Sequence, residues 1–486
     1  MWFSRVKKTR AASSGWDLGL MILCAGFLYL GCSSDSPNQS ATSADVQMQS
    51  GSSDGTLPMA DAESDSGAMT MVDAGVPASD YPNVILIVAD DLGWNDVSYH
   101  GSEIETPRID QLVREGVAID RFYALPICGP TRKGLLTGRS PISMETLGNP
   151  NPNSDADALP LDEHLISQTL QDAGYQTWLA GKWHLGGHAI FDYLPYHRGF
   201  DHFYGLVGPA VDHYTHRTTR TDTIDWQRNG ETVDEMGYST DLITNEALSL
   251  IENRDPDRPF FLYLAYNAVH TPLMAPDNLI EKYSFIDQSN RRTYAAMVDA
   301  LDTNIGRVMD AITAAGLDEN TLVVFHSDNG GDIRMGGADN SPLRGAKGQV
   351  YDGGIRVAAG MRWPGVLEPG RTTQQLFTIF DIFPTIAAAV GVPPGNELPF
   401  DGHDHWLRIQ GDEVQEPSEL VMTVNDVCIF HEEWKLVRSR GGQSELFRIA
   451  EDVSETNDLA SENPEIVTDL NERLDRILVN VADQLN

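Results

Sequence analysis

The 486-residue chain carries 34 Lys and Arg against 71 Asp and Glu, a formal net charge of −37. That balance argues against nucleic-acid binding through a broad basic face, and it would repel an anionic ligand at long range, so an anion has to be captured by a local cationic pocket. Hydrophobic residues at 41% suffice for a large core, and the four cysteines, Cys24, Cys32, Cys128 and Cys428, are too few for a disulfide framework.

The chain opens with Arg5, Lys7, Lys8 and Arg10, then an apolar stretch from Leu18 to Gly31. A basic start and an apolar run this short predict a secretory signal rather than a membrane span, which needs about 20 apolar residues. Its end, Leu28-Tyr29-Leu30-Gly31-Cys32, resembles a bacterial lipobox, although Tyr29 stands where an aliphatic residue is usual. Lipidation of Cys32, an ordinary cleaved signal and an uncleaved anchor all remain open. The expectation is an exported protein, a periplasmic or cell-surface lipoprotein of a bacterium, touching membrane only through this segment. Residues 33–80 are rich in Ser, Asp, Ala, Gly and Met and lack Lys and Arg. Such a composition cannot bury enough apolar surface to order itself, so it predicts a flexible tether.

Folded structure is predicted from Asn83-Val84-Ile85-Leu86-Ile87-Val88-Ala89-Asp90-Asp91. A continuous β-branched run reads as a strand buried on both faces of a parallel sheet. Gln176–Lys182, Phe260–Tyr266 and Leu322–Asp328 repeat the pattern, with helical stretches at Ile109–Glu115, Leu165–Ala173, Thr240–Glu252 and Arg291–Ala315. Alternation of this kind predicts an α/β fold with a large, mostly parallel sheet flanked by helices, whose polar strand ends converge in one crevice. Asp90 and Asp91 would face opposite ways on a regular strand, so sharing a site requires a turn after Ala89. Asp328-Asn329-Gly330-Gly331 is the second polar strand end. Four hard oxygen donors suit Ca²⁺ or Mg²⁺, and simple turn chemistry is the alternative. From about Gly411, Glu433–Val437 and Ser444–Ile449 read as antiparallel strands and Pro464–Leu485 as a terminal helix. The expected division is 1–32 signal, 33–80 tether, 81–410 catalytic domain and 411–486 a smaller α+β subdomain.

Cys128, Pro130, Arg132, Thr137 and Gly138 fit the pattern Cys-x-Pro-x-Arg-x-x-x-x-Thr-Gly. Five fixed positions coincide at any one site with a probability on the order of 10⁻⁶ or less. With this motif the chain resembles the type I sulfatases over nearly all of residues 83–486. Gly93-Trp94-Asn95-Asp96-Val97, Leu161-Asp162-Glu163, Gly181-Lys182-Trp183-His184-Leu185-Gly186 and Ser327–Gly331 look most like the arylsulfatase B (N-acetylgalactosamine-4-sulfatase) branch. Glu445-Leu446-Phe447 and Glu455–Ala460 are similar to that family's closing domain.

The resemblance implies an alkaline-phosphatase-like sulfatase fold and conversion of Cys128 to Cα-formylglycine by a formylglycine-generating enzyme. It implies hydrolysis of a sulfated carbohydrate or small sulfate ester through the aldehyde hydrate and a covalent sulfo-enzyme. Asp90, Asp91, Asp328, Asn329 and modified residue 128 would hold Ca²⁺; Arg132 and His184 would serve the hydrate; Lys182, His270 and Lys347 would serve the sulfate and the departing alcohol. Asp328 is also a candidate to take the attacking hydroxyl's proton, and His213 and His216 are candidates to line the pocket. His188, His202 and His326 have no such support. Departures from the pattern are Asp352, where Glu is commoner, Ser140-Pro141-Ile142, and the polar loop Gly148–Ala158. A phosphate or phosphonate ester hydrolase of the same superfamily, and a non-catalytic lipoprotein that binds sulfated glycans, are the alternatives. Cys428 has no assigned role, and a Cys128–Cys428 bridge is conceivable.

Overall fold

The seven residues Asn83–Ala89 are buried with both faces covered, because the six from Val84 on are apolar and the Asn83 amide is hydrogen-bonded to Asn320, Thr321 and Phe260. In the computed structural model, which describes residues 81–334, 337–395, 398–411, 414 and 419–485, this strand pairs in parallel with Thr321–Ser327 on one side and Phe260–Ala265 on the other. Gln176–Gly181 and His202–Gly205 continue the parallel set. Ten strands make up the sheet, and antiparallel strands flank the parallel centre: Ala359–Arg362 beside Thr321–Ser327, and Gln227–Arg228 beside His202–Gly205. The sheet is therefore mixed, parallel where the predicted buried runs lie. The signal and the tether expected over residues 1–80 lie outside the described residues. Among the described residues, no helix is long and apolar enough to cross a membrane.

Apolar cores cover both faces of the sheet. Ser289–Ala314 and Ser239–Glu252 supply much of one, and the expected helices recur within a residue or two of their predicted ends. A four-stranded antiparallel sheet, Leu420–Thr423, Val427–His431, Trp434–Arg438 and Ser444–Arg448, follows. Two of its strands match the sequence reading; the first two went unread. The terminal helix is not continuous: it runs Pro464–Ile477, breaks, and resumes at Ala482–Leu485. Val479-Asn480-Val481 lies in the break, and β-branched residues and Asn are weak helix formers. Cys428 is buried in a strand and, like Cys128, is a free thiol, so no bridge joins them.

Candidate active site

Four adjacent parallel strands end in register. Ala89 lies opposite Ser327, Val88 opposite Ala265, and Ala265 opposite Gly181. The next residues of each strand therefore emerge at one edge: Asp90 and Asp91, Asp328 and Asn329, Lys182, and the segment leading to His270. Asp91 adopts φ 64°, the left-handed turn that brings both acids to one place. Gly181 has φ +120°, and a Cβ there would lie 1.8 Å from Ala265 O, so only glycine permits the close turn that releases Lys182. His184 also sits at positive φ, 56°. Non-glycine residues held in that region cluster at functional sites.

Cys128 begins a helix that runs Cys128–Thr137, all of it buried, and ends at Gly138 in the left-handed region. Its Sγ lies 3.4 Å from Asp90 Oδ1. Ligand atoms of Asp90, Asp91, Cys128 and His270 all lie within 4.8 Å of one another. Arg132, one turn along, donates to Asp328 Oδ2 from Nη2 (2.8 Å) and Nε (3.2 Å), and to Tyr263 Oη and Lys182 O. Lys182 Nζ is 2.5 Å from Asp90 Oδ2, and Lys347 Nζ is 2.7 Å from Asp91 Oδ1. Asn329 Nδ2 donates to Asp91 Oδ1 (2.7 Å), and Asp91 N donates to Asp328 Oδ1 (3.2 Å). His270 Nε2 lies 3.7 Å from Asp91 Oδ2. These contacts join nine of the ten predicted positions, and the tenth, His184, lies within electrostatic reach of Lys182, Arg132, His270 and Lys347.

The electrostatics follow from burial and pairing. Burial, then Asp328, pushes the Cys128 thiol up. Burial opposes the charge on Asp91, but Lys347 and His270 hold it well below the carboxylate range, while burial and Asp90 raise Asp328. Burial, then the charges of Lys182 and Arg132, pushes His184 well below the usual histidine range. Burial pushes His270 down to about 4, with Asp91 acting against it. Both imidazoles are therefore neutral at pH 7.

One atom speaks directly to a metal. Asn329 Oδ1 is buried without a hydrogen-bond partner, which is costly for a group with no role there. It stands among three buried carboxylates, and an oxygen set of this kind fits a hard divalent cation such as Ca²⁺ or Mg²⁺.

Other predicted positions fall elsewhere. His213 is buried and binds His270 O through Nε2 (3.0 Å), so it supports His270 rather than lining a pocket. His216 is buried against Trp226, both ring nitrogens facing backbone carbonyls. His188 and His202 pair with Asp225 and Glu246, and His326 stacks on Phe122. The departure at Asp352 has a structural reason. It receives Lys435 Nζ (2.6 Å) and Tyr123 Oη (3.0 Å), and its amide donates to Glu455 Oε2 (2.7 Å), joining the C-terminal sheet to the segment after Lys347. Asn149 and Tyr263 were missed. Asn149 Oδ1 accepts from Gly129 N (2.9 Å), beside Cys128 at the helix start, and nothing in the polar loop signals that contact. Tyr263 sits inside an apolar run and reads as core.

Comparison with known proteins agrees with this geometry. Residues 82–392 match the family model "Sulfatase". Mouse arylsulfatase J is 38% identical over 343 residues, covering 69% of this chain and 57% of that protein. Mouse N-acetylgalactosamine-6-sulfatase is 32% identical over 360 residues, covering 69% of this chain and 67% of that one. The chain thus spans less than two thirds of the length of the first of these relatives. The solved structure of Ps i-CgsB in complex with k-i-k-neocarrahexaose superposes with a TM-score of 0.76 at 32% identity, covering 82% of this chain and 93% of that one.

Proposed function

Because the chain belongs to the sulfatase family, we propose that it hydrolyses sulfate monoesters of a sulfated carbohydrate or small alcohol, using residue 128 after conversion of Cys128 to formylglycine. The observation that carries this reading is the burial of Cys128 against Asp90, with Arg132, Lys182 and Lys347 paired to the three acids around it. A formylglycine hydrate would supply one hydroxyl to attack sulfur and a second whose deprotonation expels sulfate. The carboxylates Asp90, Asp91 and Asp328, with Asn329 and an oxygen of modified residue 128, would hold Ca²⁺, which when bound supplies a Lewis acid to the sulfate.

The chain's own residues do the rest. Arg132 is anchored on Asp328 and Tyr263, so its guanidinium is fixed to orient the hydrate by charge-assisted hydrogen bonds. Lys182 and Lys347 bring positive charge to an anionic ester that the protein as a whole repels. His184, neutral and with Nδ1 unpartnered, is equipped to accept the hydrate's proton during sulfate release. Lys347, a partly exposed ammonium, is placed to give a proton to the departing alcohol, and neutral His270 stands beside it at the opening. The solved neighbour with a bound neocarrahexaose supports a saccharide as that alcohol. The basic and apolar N-terminal segment supports export.

The test is turnover of 4-nitrophenyl sulfate against 4-nitrophenyl phosphate by protein bearing the aldehyde. The sulfate should be strongly preferred, and Cys128→Ala should fold yet lose essentially all turnover. Preference for the phosphate, or comparable activity in the variant, would overturn the proposal.

A further inference from the structure

Burial within the site is uneven. The side chains of Arg132, Lys182, Asp90 and Asp328 are fully enclosed, while Lys347 and His270 are 15% and 17% exposed. The opening to solvent therefore lies on the side of Lys347 and His270, and whatever is attached to the sulfate must leave through it. Directly on that rim stands Arg334. Its Nη2 donates to Lys347 O at 3.5 Å, yet its side chain remains 70% exposed. No partner of its Nη1 lies among the described residues.

The position is built. Gly331 O accepts from Lys347 N (3.3 Å) and from Asn340 Nδ2 (3.0 Å), and Gly331 N donates to Asn340 Oδ1 (2.9 Å). A Cβ on Gly331 would lie 2.4 Å from Ala338 Cβ, so the backbone here is tightly packed. Asp332 Oδ1 then accepts from Arg334 N (3.0 Å) and lies 3.4 Å from its Nε, turning the guanidinium back over the Lys347 backbone. Through that contact with Lys347 O, the guanidinium lies no farther from the Lys347 ammonium than the reach of one lysine side chain beyond it.

The electrostatic setting asks for such a group. The chain carries −37, and Arg132, Lys182 and Lys347 already face Asp328, Asp90 and Asp91. A polyanionic saccharide brings further anionic groups to the rim, where an acidic surface repels them. We propose that Arg334 forms a second oxyanion subsite, holding a sulfate or carboxylate on the sugar that carries the scissile sulfate or on its neighbour. The planar guanidinium offers the two-point hydrogen bonding that such groups accept. This rests on the sulfatase reading and adds a substrate class: saccharides with at least two anionic groups.

The experiment measures competitive inhibition of 4-nitrophenyl sulfate turnover by N-acetylgalactosamine sulfated once, sulfated twice, or sulfated once and linked to a uronic acid. In the wild type, at least one of the two dianions should bind about tenfold or more tighter than the monoanion, the size of one charge-assisted hydrogen bond. Which dianion gains tells sulfate from carboxylate. Arg334→Ala should bring the three inhibitors to near parity, with Arg334→Lys between, and added salt should shrink the wild-type ratio. A wild type that binds all three alike, or a variant that loses equally on all three and on 4-nitrophenyl sulfate, would show that Arg334 only braces the Lys347 loop. Absence of 4-nitrophenyl sulfate turnover in aldehyde-bearing wild type would instead remove the sulfatase reading, and this inference with it.

Discussion

At the scale of single residues, the unpartnered Oδ1 of Asn329 is the most informative atom in the site. A buried amide oxygen without a donor is destabilising unless a ligand completes it. Calcium should therefore raise the melting temperature, by an amount equivalent to about 2.7 kcal/mol at a hundredfold excess over Kd. In Asn329→Ala the calcium needed for half of that shift should rise at least tenfold; an unchanged midpoint would remove Asn329 from the cation site. These residues were legible because each ends a buried apolar run with a polar group that the run does not predict. Arg132 was legible for another reason, its place in the Cys-x-Pro-x-Arg pattern with Cys128. What the sequence hid was the partner of each. Tyr263 beside Arg132 is 131 positions away, and His213 proved to hold the His270 carbonyl instead of facing a ligand.

At the scale of elements, a buried cation adds to the apolar packing that joins the C-terminal sheet to the rest of the core. Lys435, fully enclosed, meets Asp352 at 2.6 Å and Glu455 at 2.7 Å. Although burial opposes its charge, these two acids hold Lys435 above the usual lysine range. Lys435→Met would leave Glu455 without its cation and Asp352 with only Arg356 at 3.8 Å, at a cost of up to about 3–5 kcal/mol. Thermal unfolding should detect that loss, and turnover should fall because Asp352 adjoins the segment that carries Lys347. A variant as stable as the wild type would show that the two acids share a proton instead. This joint could not be read from sequence, since Asp352 lies 83 positions from Lys435 and 103 from Glu455. The strands Leu420–Thr423 and Val427–His431 went unread for a related reason. Their residues are nearly all buried, so the two-residue alternation that marks a half-exposed strand is missing.

At the scale of the whole molecule, a site for anions sits in a strongly acidic protein. Long-range repulsion should slow the arrival of a polyanionic substrate, and salt screens it over about 10 Å at 0.1 M ionic strength. The expected outcome is that kcat/KM for a sulfated oligosaccharide rises from low salt to about 0.1 M, the range over which screening sets in. A steady fall from the lowest salt would mean that the cations at the rim, Arg334 included, dominate the field. The parallel centre of the sheet was legible as four apolar runs; its antiparallel flanks are short strands whose pairing depends on contacts distant in sequence.

The proposed chemistry requires residue 128 to work as an aldehyde. The direct measurement is a peptide mass spectrum across Cys128-Gly129-Pro130-Thr131-Arg132 in protein from a host that can perform the conversion. The expected result is that the sulfur of residue 128 is gone and an aldehyde stands in its place, trapped by a carbonyl reagent. An intact thiol in protein that hydrolyses sulfate esters would contradict it.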